Sequence, residues 1–206
     1  MEKQSAGTGA RARAALVKRK TNETDIQLAL TIDGEGRAEV SSGIGFFDHM
    51  LAALAKHSLM DLEICCRGDL YVDGHHTVED VGICLGQALA QAVGDKKGMA
   101  RYGEATIPLD EALVQCVVDF SGRPYFAYRQ FRYETVNVGD FPTELAEEFF
   151  RAVAVHAGIT LHLRLIDGHN SHHIIEAAFK AFARALRAAL RLDERVAGVP
   201  STKGVL

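Results

Sequence analysis

The sequence predicts an α+β protein built from two similar halves, each with the order β-β-β-α-β-α, whose helices pack between two sheets. The main observation is a repeated string, His-His-x-x-Glu, which occurs at residues 75–79 and again, 97 positions later, at residues 172–176. Strand-like alternation and helix-like spacing also follow each other in the same order in both halves. Finally, the turn at Asp33–Arg37 is matched by Asp119–Arg123.

The first half is assigned to residues 14–98. Alternating apolar and polar residues predict its strands, and apolar residues three and four positions apart predict its helices. Gly94, directly after the second helix, is typical of a helix end. The predicted strands are Ala14–Lys20, Asp25–Ile32 and Leu62–Cys66, and the predicted helices are Phe46–Lys56 and Val78–Val93.

The second half, residues 99–195, repeats this order. The matched turns are 86 positions apart, whereas the His-His strings are 97 apart, so about eleven extra residues must enter between them. With no flexible linker between the halves, residues 14–206 are expected to form a single duplicated domain that ends in a tail, residues 196–206. The predicted strands are Ala112–Asp119, its pairing partner Tyr125–Tyr128, and Thr160–Leu165, and the predicted helices are Glu144–Val155 and Ile174–Leu190.

Composition describes an ordinary globular protein. The chain has 206 residues, of which 48% are hydrophobic and 24% are charged, and a net charge of −4. The charge gives no sign of nucleic-acid binding, and no apolar run reaches the roughly 18 residues of a membrane span. Residues 1–13 are predicted to be a disordered lead without the apolar segment of a signal peptide. Four cysteines without a CxxC motif favour a reducing cytoplasm.

The repeated string indicates a metal site. His75 and Glu79 are four residues apart and project from the same side of a helix, whereas His76 points about 100° away. An adjacent pair of histidines cannot easily close on one ion, so the pattern suits two metals, or one here and one shared with a neighbouring half or subunit. Imidazole and carboxylate ligands without thiolate fit Mn²⁺ better than a structural zinc.

Two further ligands are expected from the helix that precedes each of these strings. His49 follows a glycine turn at the start of the first helix, and Glu148 lies at the matching place in the second half. They bring the predicted metal ligands to eight, four for each ion: His49, His75, His76, Glu79, Glu148, His172, His173 and Glu176.

Several motifs together resemble the imidazoleglycerol-phosphate dehydratase family. They are Thr21–Thr24, Gly45–Leu51, Asp73–Asp80, Ser171–Glu176 and Ser201–Gly204. The resemblance implies a ribosomal-S5-domain-2-like fold and the dehydration of imidazole glycerol phosphate to imidazole acetol phosphate in L-histidine biosynthesis. It also implies two manganese ions per active site and a homo-oligomer of 24 subunits built from trimers, with sites shared between subunits.

The resemblance also assigns roles to residues. Glu23 corresponds to the family's substrate-contacting glutamate and is the expected acid/base residue, and His49 and His75 are expected at the substrate as well as at the metals. Lys180 lies one helical turn after Glu176 and is a candidate phosphate anchor. The other candidates are cations and a hydroxyl near glycine turns or in the tail: Arg101, Arg123, Ser201 and Lys203.

Glu148 departs from the family pattern, in which a histidine commonly stands at this position. A carboxylate is also a good ligand for Mn²⁺, so Glu148 stays in the predicted set. Two alternatives remain open from the residues alone. A dinuclear metal-dependent hydrolase would direct a metal-bound water at its substrate. A metal-storing or scaffolding shell would lack the convergence of Glu23, Arg101, Arg123 and Lys203 on the metal ligands. Tight binding of a triazole would favour the dehydratase.

Overall fold

The computed structural model describes residues 12–206. Its helices are α1 (Gly45–Ser58), α2 (His75–Val93), α3 (Leu145–Ala157) and α4 (Ser171–Leu190). Its strands are β1 (Ala14–Lys20), β2 (Thr24–Thr31), β3 (Ala38–Ser41), β4 (Asp61–Gly68), β5 (Tyr102–Leu109), β6 (Ala112–Asp119), β7 (Tyr125–Arg129), β8 (Asn137–Val138), β9 (Phe141–Pro142) and β10 (Thr160–Asp167).

The two halves have the same sheet topology. The first sheet has the order β1-β2-β4-β3 and the second the order β5-β6-β10-β7. In each sheet the last two strands in that order are parallel, β3 with β4 and β7 with β10, and the other neighbours are antiparallel. The predicted α+β class and the duplicated β-β-β-α-β-α order are therefore confirmed.

One predicted strand pairing is wrong. Tyr125–Tyr128 was expected to pair with Ala112–Asp119, but β7 pairs in parallel with β10 instead. The neighbours of β6 are β10 and β5, and β5 is joined to β6 by a tight turn at residues 110–111. Because β10 enters the sheet between β6 and β7, strands that are consecutive in the chain are not neighbours here.

The sequence patterns also failed to locate four strands: β3 and β5 in the two main sheets, and the short β8 and β9. β5 contains Gly103 and Pro108, two residue types that are rare in strand interiors. Gly103 is needed because a Cβ there would lie 2.0 Å from the carbonyl oxygen of Ala185 on α4. The close packing of strand on helix thus explains a residue that weakens the strand signal.

Burial repeats between the halves residue by residue. The buried positions of α1 recur in α3 at an interval of 99 positions, and those of α2 recur in α4 at an interval of 97. Phe47, Met50 and Leu51 of α1 thus correspond to Ala146, Phe149 and Phe150 of α3. The same interval makes Glu148 the counterpart of His49.

The four helices lie between the sheets and share one core. α2 packs on α3 and on β1 and β2, while α4 packs on α1 and on β5 and β6. The α2–α3 contact is closest at Gly82 and Gly86, where an added Cβ would meet the backbone of α3 at 2.9 Å and 2.8 Å. A single cluster of buried apolar side chains joins both halves.

The predicted insertion of about eleven residues lies between β7 and α3. Residues 130–144 form this connection and contain the β8–β9 hairpin, whereas only residues 42–44 connect β3 to α1. The predicted lead, residues 1–13, lies outside the described residues except for Ala12 and Arg13. Within residues 12–206, none of the helices has both the length and the apolar character needed to cross a membrane.

Candidate functional site

Three predicted ligands from the two halves converge where α1 meets α4, and we call them the α1–α4 group: His49, His172 and Glu176. Their nitrogen and carboxylate ligand atoms all lie within 4.8 Å of one another. The Nε2 atoms of His172 and His49 lie 3.0 Å and 3.4 Å from Oε2 of Glu176. The side chain of Asn170 accepts hydrogen bonds from the backbone N–H groups of His172 and His173, which fixes the start of α4.

Lys180 belongs to this group as a partner of Glu176. Its Nζ lies 2.7 Å from Oε1 of Glu176, one helical turn away. Burial alone would raise the pKa of Glu176, but hydrogen bonds from Lys180 and His172 outweigh burial and lower that pKa to about 2. Glu176 is therefore ionised at neutral pH, as a metal ligand must be.

The counterpart ligands form a looser set, the α2–α3 group: His75, Glu79 and Glu148. Nε2 of His75 lies 3.9 Å from Oε2 of Glu79, and both side chains are about half exposed. Glu148 instead accepts hydrogen bonds of 2.8 Å and 3.0 Å from Arg151. The structure thus places the three residues on adjacent helices without bringing them to a common point.

The second histidine of each pair turns away from these groups. Nδ1 of His76 lies 3.0 Å from Asp69, and this hydrogen bond raises the pKa of His76. Nδ1 of His173 lies 2.8 Å from Glu111. The hydrogen bond from His173, together with backbone N–H groups, lowers the pKa of Glu111 to about 2. In both cases Nε2 is the ring nitrogen that remains for a ligand.

Glu23 lies beside His76, on the turn from β1 to β2. Its Oε1 is 3.6 Å from Nε2 of His76. The turn is fixed at its end, where the hydroxyl of Thr24 donates a 2.5 Å hydrogen bond to Asp80. Asp80 is buried in α2 and also pairs with Arg19 at 2.9 Å. The strand pair that carries Glu23 is therefore tied to the helix that carries Glu79.

A separate cavity of about 600 Å³ gathers the predicted anion-binding residues. Arg101, Arg123, Ser201 and Lys203 all line it. Nε of Arg101 donates a 2.7 Å hydrogen bond to Asp119, which raises the pKa of Arg101, and the same guanidinium binds the main chain of the tail at 2.8 Å. Three cations in one cavity are suited to a phosphate group.

Comparison with known proteins identifies the family. A sequence model described as imidazoleglycerol-phosphate dehydratase matches residues 42–186, which is more than half of the chain. The chain belongs to this family. Imidazoleglycerol-phosphate dehydratases are hydro-lyases of histidine biosynthesis, so the resemblance predicted from the sequence motifs is confirmed, and the protein is an enzyme of that class.

Relatives and solved structures of the family support this over nearly the whole chain. The dehydratase of Gluconobacter oxydans is 60% identical over 94% of this chain and 98% of its own length. That of Thermoanaerobacter pseudethanolicus is 59% identical over 94% of this chain and all of its own. The crystal structure from Staphylococcus aureus has a TM-score of 0.79 at 42% identity and covers 87% of this chain and 99% of its own. The Pyrococcus furiosus structure has the same TM-score at 37% identity and covers 92% and 100%.

The α1–α4 group fits a divalent metal ion. Two imidazole nitrogens and one ionised carboxylate, close enough to share one ion, are a common donor set for transition metals. This dehydratase therefore has a group of side chains, contributed by helices of both halves, that can hold a metal ion.

Three carboxylates that the sequence analysis did not select contact the predicted site residues or the strands beside them: Asp69, Asp80 and Glu111. Glu111 had a usable signal, because it directly precedes β6 just as Glu23 directly precedes β2. Asp69 had none, and the motif Asp73–Asp80 contains Asp80 without showing its contacts, since these depend on how β4 and α2 pack against β1 and β2. Lys180, expected among the phosphate anchors, lies with Glu176 and not among the residues that line the anion cavity.

Proposed function

We propose that the chain dehydrates imidazole glycerol phosphate to imidazole acetol phosphate with two manganese ions per active site. The observation that carries the proposal is the convergence of His49, His172 and Glu176 in a chain of this family. We further propose that the enzyme works in the cytoplasm as one duplicated domain, residues 14–206. Its four free cysteines agree with a reducing compartment.

The eight predicted ligands divide into two sets under this proposal. The α1–α4 group would hold one ion and the α2–α3 group the other, each with three residues of a single chain. His76 and His173 point away from both groups, so each would complete a site through Nε2 in another subunit. This division supports a homo-oligomer with shared sites, and we propose the family's 24-subunit assembly of trimers.

The chemistry follows from the substrate. Manganese ions held by the α1–α4 and α2–α3 groups would supply Lewis-acid stabilisation of negative charge on the imidazole ring of the substrate, which helps the hydroxyl group on the adjacent carbon to leave. Glu23 would accept the proton from the next carbon as the hydroxyl group leaves, and would return it to the ring-bearing carbon as the enol becomes the ketone. The proton released from the enol oxygen joins the departed hydroxide, so that one water is lost overall. Its place beside Nε2 of His76 supports this role.

The phosphate group would bind in the cavity lined by Arg101, Arg123, Ser201 and Lys203. Arginine offers a planar pair of donors and lysine a single charge, so the set can hold several phosphate oxygens at once. The hydrogen bond from Arg101 to the main chain of residues 196–206 couples the tail to the cavity. Lys180, held by Glu176, is proposed to contact the substrate near the metal.

The decisive test is turnover of imidazole glycerol phosphate by metal-stripped protein with and without added Mn²⁺, alongside the variant His76→Ala. We expect ketone phosphate only when Mn²⁺ is added, and a loss of turnover in the variant. His162→Ala, an exposed histidine on β10, serves as the control and should keep turnover. Release of inorganic phosphate without ketone would instead indicate a hydrolase, and metal binding without any reaction would indicate a storage protein.

Sedimentation tests the shared sites. If ligands come from more than one subunit, removal of metal should loosen the assembly and lower its sedimentation coefficient. An unchanged coefficient for the metal-free protein would contradict the shared-site arrangement while leaving the reaction itself untouched.

A further inference from the structure

The second histidine of each pair is held by a carboxylate, but the two carboxylates come from different places in the duplicated fold. Asp69 follows β4 in the first half, whereas Glu111 precedes β6 in the second half. Position for position, the counterpart of Glu111 is Glu23, because β2 and β6 begin directly after these two glutamates. In the two halves, the second histidine is therefore held by carboxylates that do not occupy equivalent positions.

The hydrogen-bond chemistry fixes the state of each ring. An ionised carboxylate can only accept hydrogen bonds, so Nδ1 of His76 and of His173 must carry the proton. Nε2 then lies on the far side of each ring from the carboxylate and is the nitrogen that can bind a metal ion. Such partners orient metal-binding histidines and make them better ligands.

We propose that Asp69 and Glu111 are positioning residues that hold His76 and His173 ready to bind a metal ion through Nε2. We further infer that Asp69, by holding His76, leaves Glu23 available for proton transfer. The inference rests on the proposed function, because it assigns these histidines to metal ions.

The surroundings of the two glutamates support this division of roles. Glu111 accepts hydrogen bonds from His173 at 2.8 Å and from the backbone N–H of Asn170 at 2.8 Å, and its side chain is 30% exposed. Glu23 has a 52% exposed side chain, and its nearest charged partner, Nε2 of His76, is 3.6 Å away. Glu111 is thus hydrogen-bonded to residues at the start of α4, whereas Glu23 is available to contact a substrate.

Manganese binding, measured without turnover, tests the proposal. Mn²⁺ is titrated into metal-stripped protein and the free ion is followed by electron paramagnetic resonance. Asp69→Ala and Glu111→Ala should each weaken the binding of one of the two Mn²⁺ ions by roughly 10- to 100-fold. Asp69→Asn and Glu111→Gln should lose clearly less Mn²⁺ affinity, because the side-chain carbonyl oxygen still accepts a hydrogen bond from Nδ1–H. Glu104→Gln, which removes an exposed charge from β5, is the control and should bind like the wild type.

The outcomes separate the two proposals. Wild-type affinity in both alanine variants, or equal losses in the alanine and amide variants, would overturn the positioning role. Because Glu111 lies nearer the surface than Asp69, its variants still decide the matter if those of Asp69 do not fold. A wild-type protein that neither binds Mn²⁺ nor turns over the substrate would instead refute the proposed function.

Glu23→Gln tests the division of roles. We expect it to abolish turnover while changing Mn²⁺ affinity by less than about twofold, because Glu23 makes no hydrogen bond to Nδ1 of a metal-binding histidine. A loss of Mn²⁺ affinity as large as that of Asp69→Ala would show that Glu23 also positions His76 and would overturn that part of the inference.

Discussion

The α1–α4 and α2–α3 groups occupy equivalent places in the duplicated fold, yet only the first is assembled. In the first, Glu176 is held by Lys180 and faces two histidines. In the second, Glu148 is held by Arg151, one turn further along its own helix. The residue of α1 that matches Arg151 is Ala52, which offers His49 no such partner.

The comparison shows which part of a duplication is preserved. Strand order and buried positions recur between the halves because every buried residue packs against several others. The exposed neighbours of a ligand carry no such constraint, so Ala52 and Arg151 differ. We therefore expect metal affinity in the two groups to depend also on side chains that are not among the predicted ligands.

The largest effect is expected when a predicted ligand is removed from the α1–α4 group. His172→Ala should lower the Mn²⁺ bound per chain from two ions to one and reduce turnover at least about 10³-fold, since a catalytic metal contributes several kcal/mol to transition-state stabilisation. Metal analysis and steady-state kinetics measure both effects. His162→Ala, the same change outside the site, should alter neither. Two bound ions in His172→Ala would show that His172 is not a ligand.

The next prediction concerns the stability contributed by the contacts of Asp80 with Thr24 and Arg19, which have no counterpart in the second half. Asp80 is 5% exposed and joins Thr24 and Arg19, whereas its counterpart in α4 is Ala177. Asp80→Ala should lower the free energy of unfolding by about 2 kcal/mol, because the Thr24 hydroxyl and the partly buried Arg19 guanidinium lose their partner. Chemical denaturation at one fixed protein concentration measures this.

Two further variants control the Asp80 experiment. Asp25→Ala removes the exposed ion pair that Asp25 on β2 makes with Lys20 on β1, and it should cost less than about 1 kcal/mol. The double variant Arg19→Met with Asp80→Ala should recover part of the loss, because the partly buried Arg19 guanidinium is then no longer left without its partner. A cost for Asp80→Ala no greater than for Asp25→Ala would mean that the network does not stabilise the first half.

The sequence predicted the elements better than their partners. Ala14–Lys20 and Ala112–Asp119 were located to the residue, because alternation along a half-buried strand is a local property. The pairing of Tyr125–Tyr128 was wrong because the insertion of β10 into the sheet is not encoded locally. The ligands of the α1–α4 group were predictable from their spacing within helices, whereas the contacts of Asp69 and Glu111 arise only when strand ends meet helix starts.

A smaller effect distinguishes the matched turns. Asp61, at the start of β4, accepts hydrogen bonds from the backbone N–H groups of Arg37 and Glu35, which lower its pKa to about 2. Its counterpart at the start of β10 is Thr160, whose hydroxyl donates to the carbonyl of Arg123 at 3.3 Å. Asp61→Asn should therefore cost roughly 1 kcal/mol at neutral pH.

The pH dependence of the Asp61 effect has a definite sign. Because the pKa of Asp61 is lower in the folded state than in the unfolded state, its contribution is fully present above about pH 4 and is lost as the pH falls toward 2. The difference in unfolding free energy between wild type and Asp61→Asn should therefore shrink over this range. The other carboxylates contribute equally to both proteins, so their contributions cancel in this difference. A difference that stays constant with pH would contradict the lowered pKa of Asp61.

The smallest effect is predicted for Arg151, which holds Glu148 of the α2–α3 group. If Arg151 competes with the metal for Glu148, Arg151→Ala should tighten Mn²⁺ binding at the α2–α3 group by up to about fivefold, the equivalent of an exposed ion pair. The measurement is sharpest in the His172→Ala background, where a single ion remains. Arg151→Lys keeps the charge and should bind like its parent. If Arg151→Ala leaves the affinity unchanged, Arg151 does not compete with the metal, and the groups differ through their predicted ligands and through Lys180, which holds Glu176. Because the first group has one carboxylate and the second has two, Glu148→His should then bring the two affinities closer together.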